Sequence, residues 1–524
     1  MAVGMRRMFP HPWATRAAAA CPLLTPAWHA GCFLPCLPES PARASHSPGD
    51  CDTAHPLRSA PVHGRRRPPD AACPGGSARA TTRNHENEGS TLDPRTHSGF
   101  TGPAAAARWG GTYDLVCLSH LRWDFVYQRP QHLMSRFARE RRVLFVEEPV
   151  WGPGPARVET EEREGVRVVR MRLPDGLSWS QVEETQRRLL DEVLAVHGVR
   201  RFVAWYYTPM ALSFTSHLRP AAVVYDCMDE LSLFRGAPAV LLEREAGLLR
   251  RADLVFTGGA SLYAAKRGRH PGVHLFASSI DAAHFCRARA PLPEPADQAG
   301  IPGPRLGYFG VIDERVDLAL LAGIAAARPG WQLVMLGPLA KIDAADLPRL
   351  PNLHYLGMKA YTELPSYVAG WDVAMLPFAL NDATRFISPT KTPEYLAAGR
   401  PAISTPIRDV VSPYGERGLV RIAASVDEWV AEAESVMAMG ADARASWLAG
   451  VDALLAGTSW DRVWAGMRDL VDGAVRRDES RRAVRARQAA ARRPAEAMPG
   501  EAARQGGGAP RAARMAAAPA GMEE

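Results

Sequence analysis

The stretch NDATRFISPTKTPEYLAAGRPAIST, residues 381–405, puts a polar loop, a helix start, an acidic residue and a strand next to one another. Ser388-Pro389 and Thr392-Pro393 are both helix-start signals, a small hydroxyl residue followed by proline at the first helical position. Glu394 therefore falls in or just beyond a first turn, whichever start is used. Gly399 has the place of a left-handed cap, and AIST after Arg400-Pro401 reads as a strand. A helix entered through a polar loop offers free backbone N–H groups and a positive dipole end, where phosphate can be held. The residues alone fit either half of a phosphate-holding site or a plain αβ unit of a buried parallel sheet.

Around this stretch the composition of the 524-residue chain is uneven. Residues 1–107 hold five of the eight cysteines and many prolines, with no sustained apolar periodicity; residues 476–524 are a run of Ala, Arg, Gly and Pro. Both ends are expected to be disordered. Arginine outnumbers acid 11 to 7 over 1–107 and 11 to 6 over 476–524, which leaves 41 basic against 43 acidic residues between them. The net charge of +7 thus belongs to the tails, and nucleic acid is not an expected partner of the folded part. Cys21, Cys32, Cys36, Cys51 and Cys73 have neither a clean signal peptide before them nor a compact domain around them. The first hundred residues read as an over-extended start. Cys117, Cys227 and Cys286 are isolated, as suits a reducing cytoplasm. No apolar stretch approaches the roughly 20 residues of a membrane span.

The fold is expected to begin near Thr112. YDLVCL (113–118), RRVLFVEEP (141–149), VRVVRM (166–171), RFVAWYY (201–207), AVVYDCMDE (222–230) and ADLVFTG (252–258) read as strands alternating with helices, which builds a parallel sheet. The loop after the first strand is rich in polar groups: Ser119, His120, Arg122, Trp123, Asp124, Gln128 and Arg129. RLGYFGVI (305–312), WQLVMLGP (331–338), NLHYLG (352–357), WDVAMLPF (371–378), AIST and GLVRIA (418–423) form a second such series. The organisation expected is a first Rossmann-like domain over 108–287, a linker over 288–304, a second domain over 305–455, a docking helix over 456–475 and a tail. Two doubly wound α/β domains place their strand carboxyl ends across a cleft, an architecture suited to two substrates.

From about Tyr113 to Val475 the chain resembles a GT-B glycosyltransferase of the retaining family 4 type, and is similar to the bacterial subgroup that includes teichuronic-acid-type transferases. SHLRWDFVYQRPQHL, VVYDCMDE, SSIDAAHF, GYFGVIDERVDLALL and SPTKTPEYLAAGRP carry the resemblance, in the right order. It implies an α/β fold of two facing Rossmann-like domains and transfer of a sugar from a nucleotide-sugar donor to a cell-surface polysaccharide or lipid-linked acceptor, with retention. It implies that Glu394 holds the ribose hydroxyls and that Arg315 and Lys391 meet the diphosphate. Breaking a glycosyl–phosphate bond develops negative charge on the departing diphosphate, which preorganised cations stabilise. Gly310, Asp382, Thr384, Arg385, Ser388 and Thr390 complete the expected donor side. His120 and Asp229 are expected at the reacting centre, with Arg122, Trp123, Asp124, Arg129 and Asp226 on the acceptor side.

Two positions depart from the family pattern. Position 386 is Phe where relatives carry a second glutamate, so a contact to the donor sugar falls to Asn381, Asp382, Thr384 or Arg385. The His-Asp pair at the end of the fifth strand reads Met228-Asp229, which leaves its role to His120. The only Asp-x-Asp pair is Asp50-Cys51-Asp52 in the head, and no phosphate loop or GxGxxG spacing occurs. No metal or other cofactor is expected. Front-face and double displacement both stay open, as do an epimerase on the same fold and a silent nucleotide-sugar-binding partner. The expected location is the cytoplasm, or the inner face of the membrane through the acceptor or the basic tails.

Overall fold

The structure is a computed structural model that describes residues 112–491. The expectations for residues 1–107, including the head cysteines and Asp50-Cys51-Asp52, and for 492–524 lie outside the described residues. Strands β1 (Asp114–Leu118), β2 (Val143–Val146), β3 (Val150–Trp151), β4 (Arg157–Arg163), β5 (Val166–Leu173), β6 (Phe202–Tyr206), β7 (Ala222–Cys227), β8 (Leu254–Thr257) and β9 (Val273–Leu275) form the first sheet. Its order is β3-β5-β2-β1-β6-β7-β8-β9, with β4 antiparallel on β5 and the other pairs parallel. Alternate side chains of its central strands enter two different cores. Leu115, Cys117, Val143, Phe145, Val203 and Trp205 join one cluster, while Val116, Leu118, Leu144, Val146, Ala204 and Tyr206 join the other. That two-sided burial is why these strands read as unbroken apolar runs.

Strand β4 has no counterpart in the sequence expectations. RVETEER alternates no apolar face, and it pairs only at the sheet edge with exposed and half-buried charges. Edge strands of this kind are written in charge rather than hydrophobicity.

The second sheet comprises β10 (Arg305–Phe309), β11 (Gln332–Leu336), β12 (Leu353–Gly357), β13 (Val373–Leu376), β14 (Ala402–Ser404) and β15 (Val420–Ile422). It is parallel throughout, in the order β12-β11-β10-β13-β14-β15. In both sheets the strand order reverses beside the first strand of the series, β1 and β10. Loops leaving such a reversal diverge and open a crevice. The site-bearing loops 119–128, 310–316 and 377–390 leave these positions.

The linker expected at 288–304 lies elsewhere. Phe276 packs against the first lobe, whereas Ile280, Phe285, Ala288 and Ile301 already belong to the core of the second. The chain therefore crosses between Phe276 and Ile280. The Pro-rich segment is bound down by Gln298, whose side chain accepts from Trp371 Nε1 at 2.9 Å and donates to the Tyr367 carbonyl at 3.0 Å.

The terminal helix runs Trp460–Ala491, well past 475. Trp460, Met467, Val471 and Val475 return it to the first lobe's core, and Tyr113 donates to Asp472 at 2.6 Å. Beyond 475 the Ala/Arg composition favours helix on its own, and Arg201–Glu479 at 2.9 Å holds the continuation against the lobe. Among the described residues no helix is long and apolar enough to cross a membrane.

Candidate functional site

The donor-side cavity forms where β10 and β11 end. Gly310 (φ +139°) and Gly337 (φ +140°) follow these strands, and a Cβ on Gly337 would lie 1.8 Å from the Gly310 carbonyl oxygen. Only glycine brings the two backbones this close, and the space they leave is floored by Thr390, Lys391 and Glu394. The helix carrying these groups is Lys391–Ala397, with Gly399 (φ +68°) ending it as expected. At seven residues it is under two turns long, so side chains rather than a long dipole supply the positive charge.

Glu394 is only 6% exposed, and its carboxyl has no hydrogen bond or salt bridge among the described residues. Burial pushes its carboxyl up to about 8, a rise that Lys391 opposes. Burial likewise pushes the Lys391 ammonium down to about 8, helped by Arg315 and opposed by Glu394. Lys391 Nζ stands 5.5 Å from the Tyr308 ring centre and has no salt-bridge partner among the described residues. A charged group stripped of water without a partner is costly. Two such groups facing one cavity of about 360 Å³ mark it as built for a polar ligand.

The first lobe supplies the opposite wall through Trp123, Tyr127, Gln128 and Glu164. Tyr127 stacks on Tyr361 of the second lobe, with centroids 4.7 Å apart, and Tyr361 stacks in turn on His284 at 4.4 Å. This aromatic column ties the lobes together beside the cavity.

A second cavity adjoins the first, sharing Phe125, Gln128 and Val311 with it. His120, Asp229 and Arg315 all line it, which brings the two residues expected at the reacting centre together with one of the two cations expected at the diphosphate. His120 is buried, its Nδ1 has no hydrogen-bond partner, and burial with nearby Lys341 pushes its pKa down to about 4. It is a neutral imidazole, able to hydrogen-bond a hydroxyl. Asp229 is half-buried; burial raises its pKa and Arg315 pulls it back. Arg315 gives Nε (3.0 and 3.1 Å) and Nη2 (2.7 Å) to Asp313, with the Phe234 ring of the first lobe 5.3 Å away.

Several other expected residues line neither cavity. Arg129 and Asp226, both fully buried, bind each other at 2.8–3.1 Å, and Arg129 also donates to the Phe276 carbonyl. Their side chains have no access to either cavity, so they brace the lobe rather than meet an acceptor. Thr384 is buried and caps its own turn with Asn381, while exposed Asp382 and Arg385 line neither cavity. Ser388 lies in the contact between lobes, against Gly259. Phe386 packs on the first lobe's core, and Arg385 lies over its ring. Arg122 lines the second cavity but is bound to Glu147 at 3.2 Å and to the Pro149 carbonyl at 3.0 Å. Trp123 lines the first cavity while packing edge-on against Phe145, and Asp124 pairs with Arg170 at 2.6 Å on its rim.

Glu148 and Lys341 are among the wall residues that escaped the sequence reading. Glu148, in the second cavity, has no side-chain partner among the described residues, and burial raises its pKa to about 8 against the pull of Arg122. Lys341 reaches the same cavity from a backbone at φ +60°, 3.4 Å from Glu314 and 4.4 Å from the Phe234 ring centre. Lysine scarcity selects Lys341 as readily as Lys391, and Glu148 lies just past a strand end, where ligand residues gather.

No family model matches the chain. Over 237 residues it is 27% identical to the putative teichuronic acid biosynthesis glycosyltransferase TuaH of Bacillus subtilis (strain 168), a match covering 41% of this chain and 59% of that relative. The match thus spans about three fifths of the relative's length. A solved structure described as trehalose-6-phosphate from E. coli bound with UDP-2-fluoro glucose is similar over 68% of this chain and 98% of its own, at 13% identity and a TM-score of 0.51. A structure of trehalose-6-phosphate synthase, OtsA, gives the same identity, coverage and score. The fold is GT-B. In this GT-B frame both cavities lie at strand carboxyl ends with walls from both lobes, the first of them on the second lobe's glycine turns.

Proposed function

We propose that the protein is a glycosyltransferase that moves a sugar from a nucleotide-sugar donor to a cell-surface polysaccharide or lipid-linked acceptor, with retention and without a metal. The observation that carries this reading is the buried Glu394 carboxyl, without a side-chain partner, beside the Lys391 amine, without a salt bridge, in one cavity. Ribose hydroxyls would donate to Glu394, and the diphosphate would lie against Lys391 and reach toward Arg315. When the bond from the anomeric carbon to phosphate breaks, its electron pair goes to the diphosphate oxygen. In this reading Lys391 and Arg315 would stabilise that growing charge. His120, neutral, would hydrogen-bond the sugar, and Asp229 lines the same cavity. The name of the teichuronic-acid relative and the UDP-sugar bound in a GT-B neighbour support the substrate class. Membership of the retaining family 4 type, a cytoplasmic location and a peripheral membrane contact are parts of the same proposal.

The test is a thermal-shift screen of nucleotide sugars, since a ligand of the folded state raises its apparent stability. Donors that bind are then incubated with acceptors in EDTA, and the anomeric configuration of the product is read by NMR. Transfer with retention in EDTA is expected. Epimerised donor as the product, or binding without turnover, would replace this reading.

A further inference from the structure

A third cavity opens on the first lobe, continuous with the second through Glu148, Thr208 and Met210, which line both. It is a groove whose lining includes Trp151, Trp179, Val182, Phe214, Glu183 and Gln186. Trp179 opens the helix Trp179–Val196, just after its cap Ser178, and is 54% exposed, an unusual place for an indole on a soluble surface. Trp151 sits on the two-residue strand β3, and its Nε1 has no hydrogen-bond partner. Neither side chain is needed by the nucleotide cavity, and the transfer chemistry described above uses neither.

We propose that this groove holds the penultimate sugar of an oligosaccharide acceptor, with Trp179 and Trp151 against its ring and Glu148, at the junction, hydrogen-bonded to the accepting sugar. The inference rests on the glycosyltransferase reading and narrows its acceptor to a chain of at least two sugars. Pyranose rings carry patches of C–H that lie well on aromatic faces, while their edges carry hydroxyls. The groove has both kinds of partner. An isoprenoid chain would instead cover Glu148 and Gln186 without pairing them, at the cost of burying polar groups unsatisfied. Continuity decides where the chain lies: a sugar whose hydroxyl reaches the His120–Asp229 cavity has its next neighbour directed past Glu148, Thr208 and Met210. Glu148, unpaired and with its carboxyl held high by burial, is placed to donate or accept at neutral pH.

The test uses the full chain, saturated with whichever nucleoside diphosphate gives the largest thermal shift, on a glycan array of mono- to tetrasaccharides. Hits are titrated in solution, and farnesyl phosphate is titrated alongside. For at least one glycan series, affinity should rise about tenfold or more from mono- to disaccharide, about 1.4 kcal/mol. The rise should largely vanish in W179A and return in W179F; melting temperatures of these variants check that the exposed site leaves folding intact. Length-independent binding, or a length dependence that W179A preserves, overturns the inference while leaving the nucleotide reading standing. Farnesyl phosphate binding that is lost in W179A assigns the groove to an isoprenoid and also overturns it. Failure of every nucleoside diphosphate to bind removes the proposed function itself.

Discussion

A Cβ placed on Gly310 would lie 2.1 Å from Lys391 Cε and 2.5 Å from its Nζ. The glycine turn after β10 is thus the seat of the lysine proposed to meet the diphosphate. Gly310→Ala loses twice, through a backbone at φ +139° and through the displaced ammonium. The backbone strain is worth about 1–3 kcal/mol. Nucleoside diphosphate affinity should fall about tenfold or more. Calorimetric titration with chemical denaturation checks both.

Glu394 sets a pH dependence whose sign follows from its burial. The folded carboxyl titrates near 8 and an exposed one near 4.5, so between those values the folded state holds more protons than the unfolded. Stability of the ligand-free protein should fall as pH rises through that window. Glu394→Gln should flatten this slope in melting curves taken from pH 5 to 8, and weaken nucleotide binding by about tenfold or more. Unchanged affinity would remove Glu394 from the nucleoside site.

These two residues also show what could be read in advance. Glu394, Lys391, Gly310 and Gly399 sit in one local segment or at a strand end, and local signals place such residues well. Arg129 and Asp226 are 97 positions apart, and nothing in either neighbourhood says that they satisfy each other in the core. Polar density in the 119–129 loop therefore pointed equally at His120, which faces a cavity, and at Arg129, which does not. Asp382 and Arg385 lie in the right segment but outside both cavities, an orientation set by how the loop turns. The parallel sheets were legible because burial on both faces writes strands as apolar runs. Strand β4 and the helix beyond residue 475 were not, since both are charged surface elements.

The Arg129–Asp226 pair gives a stability prediction distinct from the site predictions. Removing one partner strands a buried charge. Arg129→Ala should destabilise the protein by about 3–5 kcal/mol. Urea denaturation measures this, and the affinity of whatever remains folded for nucleoside diphosphate should stay within about twofold, about 0.4 kcal/mol. A selective loss of affinity with unchanged stability would return Arg129 to the site.

Lys341 holds a left-handed backbone that disfavours a lysine by about 1–2 kcal/mol, an arrangement that persists where function requires it. Lys341→Gly relieves the backbone while removing the Glu314 pair and the contact with the Phe234 ring. Thermal stability should stay level or rise, and turnover with a saturating donor should drop about tenfold or more, a barrier increase of about 1.4 kcal/mol. A fall in stability with full turnover would make Lys341 a structural residue only.

At Gly259 the lobes meet closely: a Cβ there would lie 2.3 Å from Asp409 Oδ2 and 2.6 Å from Ser388 Cβ. Asp409 reaches from the second lobe to accept from the Ser261 backbone N–H at 3.0 Å, so a carboxylate of one lobe caps a helix of the other. The backbone of Gly259 is extended and carries no strain, which isolates the contact as the effect of any substitution. Gly259→Ala should push the lobes apart, and Asp409→Ala should release them without adding bulk. Both variants should show a larger radius of gyration by small-angle scattering. Loss of the capping bond costs about 0.5–2 kcal/mol, and nucleotide affinity should fall by a factor of a few in each, because the donor cavity takes one wall from each lobe. If Gly259→Ala matches the parent in both measurements, the contact is not what holds the cleft closed.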